Sequence, residues 1–170
     1  MRRWRPEDRP AFAALNADPA VMEMLGGPLR EGDSDAMVDR IERGFEANGF
    51  GLWAVEVPGV VPFVGFVGLS VPGFEAPFTP CVEVGWRIAR EHWGRGYAPE
   101  GARAALAFGF GPAGLEEIVS FTAACNRNSR RVMEKLGMTR DPADDFLHPR
   151  LPEGHPLRPH VLYRARWAPA

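Results

Sequence analysis

Between Cys81 and Phe110 the hydrophobic period of the chain changes once, from strand-like to helical, and that dictates a strand, a turn and a helix in succession. Val82, Val84, Trp86 and Ile88 alternate with Glu83, Gly85 and Arg87, so the two sets lie on opposite faces of a strand. Ala102, Ala105, Leu106 and Phe110 then recur at helical spacing as an apolar stripe. Between them sits Gly94-Arg95-Gly96-Tyr97-Ala98, a glycine-punctuated turn that feeds directly into the helix. The first turn of a helix carries free backbone N–H groups and a partial positive charge, which suits a phosphate or pyrophosphate. Glycine permits positive φ and lets a ligand approach the backbone closely. Alone, a G-x-G before a helix reads equally well as an ordinary strand-to-helix turn.

The remainder of the chain supplies elements to pack around that unit. Residues 2–5 read as a short first strand. Pro6-Glu7-Asp8 starts a helix that buries Phe12 and Leu15. Val21 to Arg30, with Gly26-Gly27-Pro28, reads as a loop, and Asp33 can cap a second helix to about Asn48 through Met37, Ile41 and Phe45. Phe50–Val57 and Phe63–Val71 form a hairpin across Pro58-Gly59. After a Pro-rich loop at 72–80 and the central unit come a buried strand from Glu117 to Ala124 and a helix from Ser129 to Leu136. Residues 141–159 read as a long loop, and His160–Trp167 as a last strand. There are no repeats and no low-complexity segment, so 1–170 is expected to form a single domain.

Composition narrows the function. At 170 residues the chain can bury a sizeable core without staples. A formal net charge of −2, with no long basic run, speaks against nucleic acid as a partner. Cys81 and Cys125 form no C-x-x-C, so neither a disulfide framework nor a metal site is expected, and a reducing cytoplasm is the simple setting. The N-terminus has no apolar h-region, and no apolar run reaches membrane-spanning length, so no membrane association is expected. No G-K-[ST] follows the glycines, which excludes a P-loop. His92, His148, His155 and His160 lack metal-ligand spacing and read as surface or loop residues. Cys125, ending an apolar strand, reads as core.

A second stretch changes the weight of the first. Residues 126–138 read NRNSRRVMEKLGM, a polar Asn-rich start and a short helix pattern that stops at Gly137. Together with Glu91-His92-Trp93-Gly94-Arg95-Gly96, the strand signature Glu83-Val84-Gly85-Trp86 and the early segment Asp18 to Met22, it resembles the GNAT superfamily of acyl-CoA-dependent N-acetyltransferases. Within it, the chain looks like the branch that acetylates ribosomal-protein N-termini. Asn126, Ser129, Lys135 and Gly137 stand at the family spacing, and Glu91 departs from the usual Gln or Arg. An acid would repel a pyrophosphate, so Glu91 is expected to point elsewhere.

The resemblance implies an α/β (α+β) fold: a mixed, mostly antiparallel central sheet flanked by helices, with strands splayed at the coenzyme site. It implies acetyl-CoA as co-substrate. Backbone groups of Trp86 and Ile88 would hold the pantetheine chain. Gly94, Arg95, Gly96, Tyr97 and Ala98 would hold the pyrophosphate, with Asn126 and Ser129 also at the coenzyme. Asn126 reads alternatively as a turn residue bonding its own backbone. The acceptor would be a primary amine, either a protein N-terminal amine or a small molecule such as an antibiotic or polyamine. A non-catalytic acyl-CoA-binding module is the other reading. Exposed strand edges leave room for a homodimer.

Transfer to an amine needs a neutral nucleophile and a proton for the departing thiolate. Glu83, mid-strand, is the candidate base, with Glu75 in reserve; its alternative is a structural carboxylate hydrogen-bonded to its neighbours. Ser129 can donate to the thiolate, and equally can cap the helix that follows it. Tyr97 and Tyr163 read as packing residues.

Overall fold

The computed structural model describes residues 1–167. Arg2 bridges to Ala54 in place of a full first strand. Asp8–Ala17 (α1) buries Phe12, Leu15 and Asn16. Asp18 then caps a short helix, Pro19–Met22 (α2), its Oδ1 accepting from the Ala20 N–H at 2.8 Å. The loop expected from Val21 therefore begins only after Met22. The third helix, Glu31–Asn48 (α3), starts two residues before Asp33, and Arg30 is its N-cap. Asp33 lies in the first turn and pairs with Arg30 at 3.0 Å. Its inward positions are Ser34, Val38, Ile41 and Phe45, with Met37 only partly covered.

Leu52–Val57 (β1) and Val61–Ser70 (β2) form the hairpin, and Glu83–Ile88 (β3) pairs antiparallel with β2 along its whole length. A 3-10 turn, Arg90–His92, precedes Tyr97–Phe110 (α4), which carries the chain across to Glu117–Ala123 (β4), parallel to β3. Arg127–Lys135 (α5) follows, then Thr139–Arg140 (β5), Phe146–Leu147 (β6) and Pro159–Arg166 (β7). The sheet runs β1-β2-β3-β4-β7-β5, with β6 sharing the outer edge of β7. It is mixed and mostly antiparallel, as expected. The stretch 141–159 is not simply a loop, since it contains β6 and a 3-10 turn at Pro142–Asp144.

Helices α4 and α5 cover one face of the sheet, over Val67, Leu69, Val84, Ile88, Ile118 and Tyr163. On the other face α1 to α3 cover Ala54, Phe63 and Phe66. Alternation along β3 thus sends Val84, Trp86 and Ile88 toward α4, and Glu83, Gly85 and Arg87 toward α1 and α3. On that second face, over β4 and β7, Phe121 gathers Phe74, Phe78, Phe146, His148 and His160. The His148 and His160 rings stand 4.8 Å apart within this cluster, both half-buried, and burial lowers both pKa values; His148 lies in the loop after β6, whereas His160 belongs to β7. Cys125 is exposed, not core: it stands two residues past the end of β4, where the chain leaves the sheet for α5.

Candidate active site

The site begins where two strands part. Every residue of β3 is paired with β2, and every residue of β4 with β7, but β3 and β4 meet at a single register pair, Glu83 with Val119. The Val119 N–H donates to the Val82 carbonyl at 2.9 Å, while the Ala89 N–H donates to Val64 on the β2 side at 2.8 Å. Backbone direction alternates along a strand, so even-numbered residues of β3 turn their N–H and C=O groups toward β4. From Trp86 onward those groups have no ladder partner. The Ile88 carbonyl is taken by the Trp93 indole N–H at 2.7 Å, which leaves the Ile88 N–H and both groups of Trp86 facing the gap. An unpaired strand edge is a template for an extended chain bearing amides.

Because β3 and β4 are parallel, their carboxyl ends lie together, and so do the turns that follow them. After β3, Gly94 and Gly96 adopt φ of +75° and +88°. Gly96 is the N-cap residue of α4 and supplies no side chain to its first turn. A Cβ at either glycine would meet nothing within 4 Å, so the left-handed backbone, not crowding, is what demands glycine. The N–H groups of Tyr97 and Ala98 are left free at the helix start, where Pro99 contributes none. Arg95 is exposed and Tyr97 packs partly into the core. The Glu91 side chain is 72% exposed.

After β4, Asn126 is the N-cap of α5, its Oδ1 accepting from the Ser129 N–H at 3.2 Å. This corrects the expectation that Ser129 caps: it is the third residue, within the first turn, of a helix that begins at Arg127. The Asn126 amide also donates to Thr122 Oγ1 at 2.9 Å and to Ser129 Oγ at 3.2 Å. Ser129 thus receives a hydrogen bond and keeps its own hydrogen to give.

Glu83 stands at the apex of the gap, on the face of α1 and α3. Burial raises its pKa to about 8. It makes no side-chain hydrogen bond among the described residues, so the alternative of a carboxylate bonded to its neighbours has no partner to support it. Glu75 is exposed in the preceding loop. Further along the same face is Arg87, which sequence reasoning placed there without assigning it a role. Its guanidinium donates to the buried Asn16 Oδ1, its Nε is sealed from solvent without a partner, and burial lowers its pKa to about 10.

The chain that forms this parted sheet is matched over residues 1–139 by the family model for the acetyltransferase (GNAT) domain. The chain belongs to the GNAT acetyltransferases. It is 33% identical over 127 residues to the uncharacterized protein YkkB of Bacillus subtilis, covering 75% of this chain and 73% of that one. It is 35% identical over 140 residues to the FsC-acetyl coenzyme A-N(2)-transacetylase of Aspergillus fumigatus, covering 78% of this chain but 59% of the relative. An acetyltransferase from Agrobacterium tumefaciens superposes with a TM-score of 0.77 at 26% identity, over 98% of this chain and 89% of that one. The ribosomal L7/L12 α-N-protein acetyltransferase RimL, solved with coenzyme A, shares the fold with a TM-score of 0.76 at 15% identity, over 97% and 92% of the two chains. The chain is therefore an acetyl-CoA-dependent N-acetyltransferase. No helix among the described residues is long and apolar enough to cross a membrane.

Proposed function

We propose that this GNAT protein transfers the acetyl group directly to the primary amine of a protein N-terminus, with Glu83 as base and Ser129 as proton donor. The observation that carries the reading is the parted β3–β4 edge, with a carboxylate at its apex and a free hydroxyl beside its open end. Acetyl-CoA supplies an acyl group already activated as a thioester. The backbone of Trp86 and the Ile88 N–H hold the pantetheine arm as an added strand would, and the N–H groups of the 94–98 turn take the pyrophosphate. Glu83 accepts the proton that the amine loses on attack, Ser129 Oγ gives its hydrogen to the departing sulfur, and the proton held by Glu83 returns through solvent to the serine oxygen, which restores both groups. An α-amino group with a pKa of about 7.8 is roughly one-third neutral at pH 7.5, whereas a lysine near 10.4 is about 0.1% neutral. A single carboxylate therefore suffices for the first far more readily than for the second. Incubating purified protein and acetyl-CoA with N-terminal peptides, polyamines and aminoglycosides, and following thiol release, tests the reading. Turnover of only the polyamines or aminoglycosides would move the acceptor to small molecules.

Two substitutions examine the coenzyme side. In Gly96→Val the side chain has room but the backbone does not, since a β-branched residue at positive φ costs about 1–2 kcal/mol. The turn is expected to relax and acetyl-CoA affinity to fall at least about tenfold by calorimetry, with circular dichroism intact. Equal affinity in a folded variant would detach the turn from the coenzyme. In Ser129→Ala the helix keeps its Asn126 cap and loses one side-chain hydrogen bond, about 0.5–1.5 kcal/mol. The kcat should fall with coenzyme affinity nearly kept, and turnover at the parent rate would leave Ser129 a purely structural residue.

A further inference from the structure

On the face of β3 that carries Glu83, Arg87 is a cation with no counter-ion among the described residues. Among the described residues, the carboxylates that pair with arginines are engaged elsewhere: Asp8 and Glu56 with Arg2, Glu42 and Glu46 with Arg3, Asp35 and Asp39 with Arg9, Asp33 with Arg30, Glu117 and Asp144 with Arg164, Asp145 with Arg140. Arg87 has instead one neutral partner, Asn16 Oδ1, and Met37 Sδ at 3.9 Å. Asn16 is 0% exposed and donates in turn to Ser34 Oγ at 3.0 Å, with Ser34 at 1%. This relay fixes one edge of the guanidinium, and the Phe66 ring covers it at 5.4 Å. Nη2 has no hydrogen-bond partner among the described residues. Holding a desolvated cation this way costs stability that an apolar side chain of similar volume would not.

The ground between Arg87 and Glu83 is open. They are four residues apart on one face, about 13 Å between Cα atoms. Gly85 lies between them, and a Cβ built there would meet only Glu83 Oε1, at 3.9 Å. The floor between acid and cation is thus bare backbone, with room for a short chain.

We propose that Arg87 is the anchor for a carboxylate carried by the acceptor, so that the substrate is an amino-carboxylate: its amine at Glu83, its anion on the free edge of the guanidinium. This rests on the amine-acetylation reading. Arginine suits the role because its planar fork matches a carboxylate, and desolvation strengthens the bond. Two sources share this chemistry, free amino acids and N-terminal peptides with an acidic side chain near the amine.

Matched probes test it. One arm compares 4-aminobutyrate, 6-aminohexanoate and 8-aminooctanoate with their primary amides. The other compares short N-terminal peptides bearing Glu or Asp at the second to fourth residue with the same peptides bearing Gln or Asn. Turnover is read as kcat/KM, and binding by calorimetry in the presence of coenzyme A. The carboxylate member of at least one pair should be preferred by about 10- to 100-fold, chiefly through KM, the worth of one charged hydrogen bond. In Arg87→Met that ratio should fall to near one, and in Arg87→Lys it should fall only in part. Thermal unfolding of Arg87→Met should still show one cooperative transition, because removing the desolvated cation offsets the donor that the buried Asn16 Oδ1 loses. Acetylation of amines with no preference in any pair overturns the anchor while leaving the acetyltransferase reading standing. A ratio unchanged in Arg87→Met does the same. Failure to bind or turn over any carboxylated probe also overturns it.

Discussion

Glu83→Gln is expected to lower kcat/KM by about 10²–10⁴ when assayed near pH 8.5, the usual contribution of general base catalysis. The pH matters because burial raises the Glu83 pKa to about 8. Near pH 7 only about a tenth of the molecules hold the ionised base, so the parent gives up most of its advantage there. Below pH 8 the loss caused by the substitution should shrink by about tenfold per unit, since a protonated Glu83 accepts no proton. The pH profile of the parent should rise with two ionisations, those of Glu83 and the amine, and that of the variant with one. The fold provides an independent control. Between the ordinary carboxylate range and about pH 8, the folded protein holds a proton on Glu83 that the unfolded chain has lost. Glu83 therefore withdraws stability as pH rises through that window, and glutamine does not. The variant should be at least as stable as the parent at neutral pH. An unchanged rate at pH 8.5 in a folded Glu83→Gln enzyme would remove Glu83 from the chemistry and bring Glu75, or water held by backbone groups, forward.

Most of the fold was legible because each main element carries its own period. The β3 alternation, the α4 stripe and the β1–β2 hairpin across Pro58-Gly59 stand close to where the residue pattern puts them. Errors fell where a side chain had two local uses. Asp33 and Ser129 are both good N-cap residues, yet the caps are Arg30 and Asn126, because each helix begins two residues earlier than its best-looking cap. Cys125 ends an apolar run, but the strand stops at Ala123, and by Cys125 the chain has turned outward. The site was legible only where a backbone property marks it, as with Gly94 and Gly96. Arg87 could have been noticed, since an arginine on the inward side of a central strand needs a partner. No spacing rule supplies Asn16 and Ser34, however, because they come from α1 and α3 and meet Arg87 only through tertiary packing. The aromatic group around Phe121 was invisible for the same reason: its members come from the 72–80 loop, β4, β6, the segment after β6 and β7.

The helix that supplies Asn16 to Arg87 is itself pinned at its other end, and releasing that pin should cost the most stability of any single polar change here. Arg2 grips both oxygens of Asp8, at 2.7 Å each, and its Nε reaches Glu56 on β1 at 2.5 Å. Asp8, 3% exposed, also accepts from the Arg5 N–H at 2.8 Å. Burial alone would raise the Asp8 pKa, but the Arg2 guanidinium and the Arg5 N–H outweigh it and hold it below its ordinary value. A depressed carboxylate stabilises the fold above its unfolded pKa, near 3.9, and that contribution is lost as pH falls through the folded value. Asp8→Asn at neutral pH keeps the shape and removes the charge, leaving Arg2 short of its main partner. Breaking a buried pair in this way costs about 3–5 kcal/mol, and Arg2, 14% exposed, keeps Glu56, so about 3 kcal/mol is expected. For a chain of this size that corresponds to roughly 6–12 °C in Tm. The Asp8→Leu/Arg2→Met double variant removes both charges and should lose less than Asp8→Asn alone, because no unpaired cation remains. A double variant less stable than the single one would mean that the pair adds net stability beyond filling its space. An Asp8→Asn variant within about 1 kcal/mol of the parent, the spread of an exposed pair, would show that α1 is held by Phe12 and Leu15 and not by its charged end.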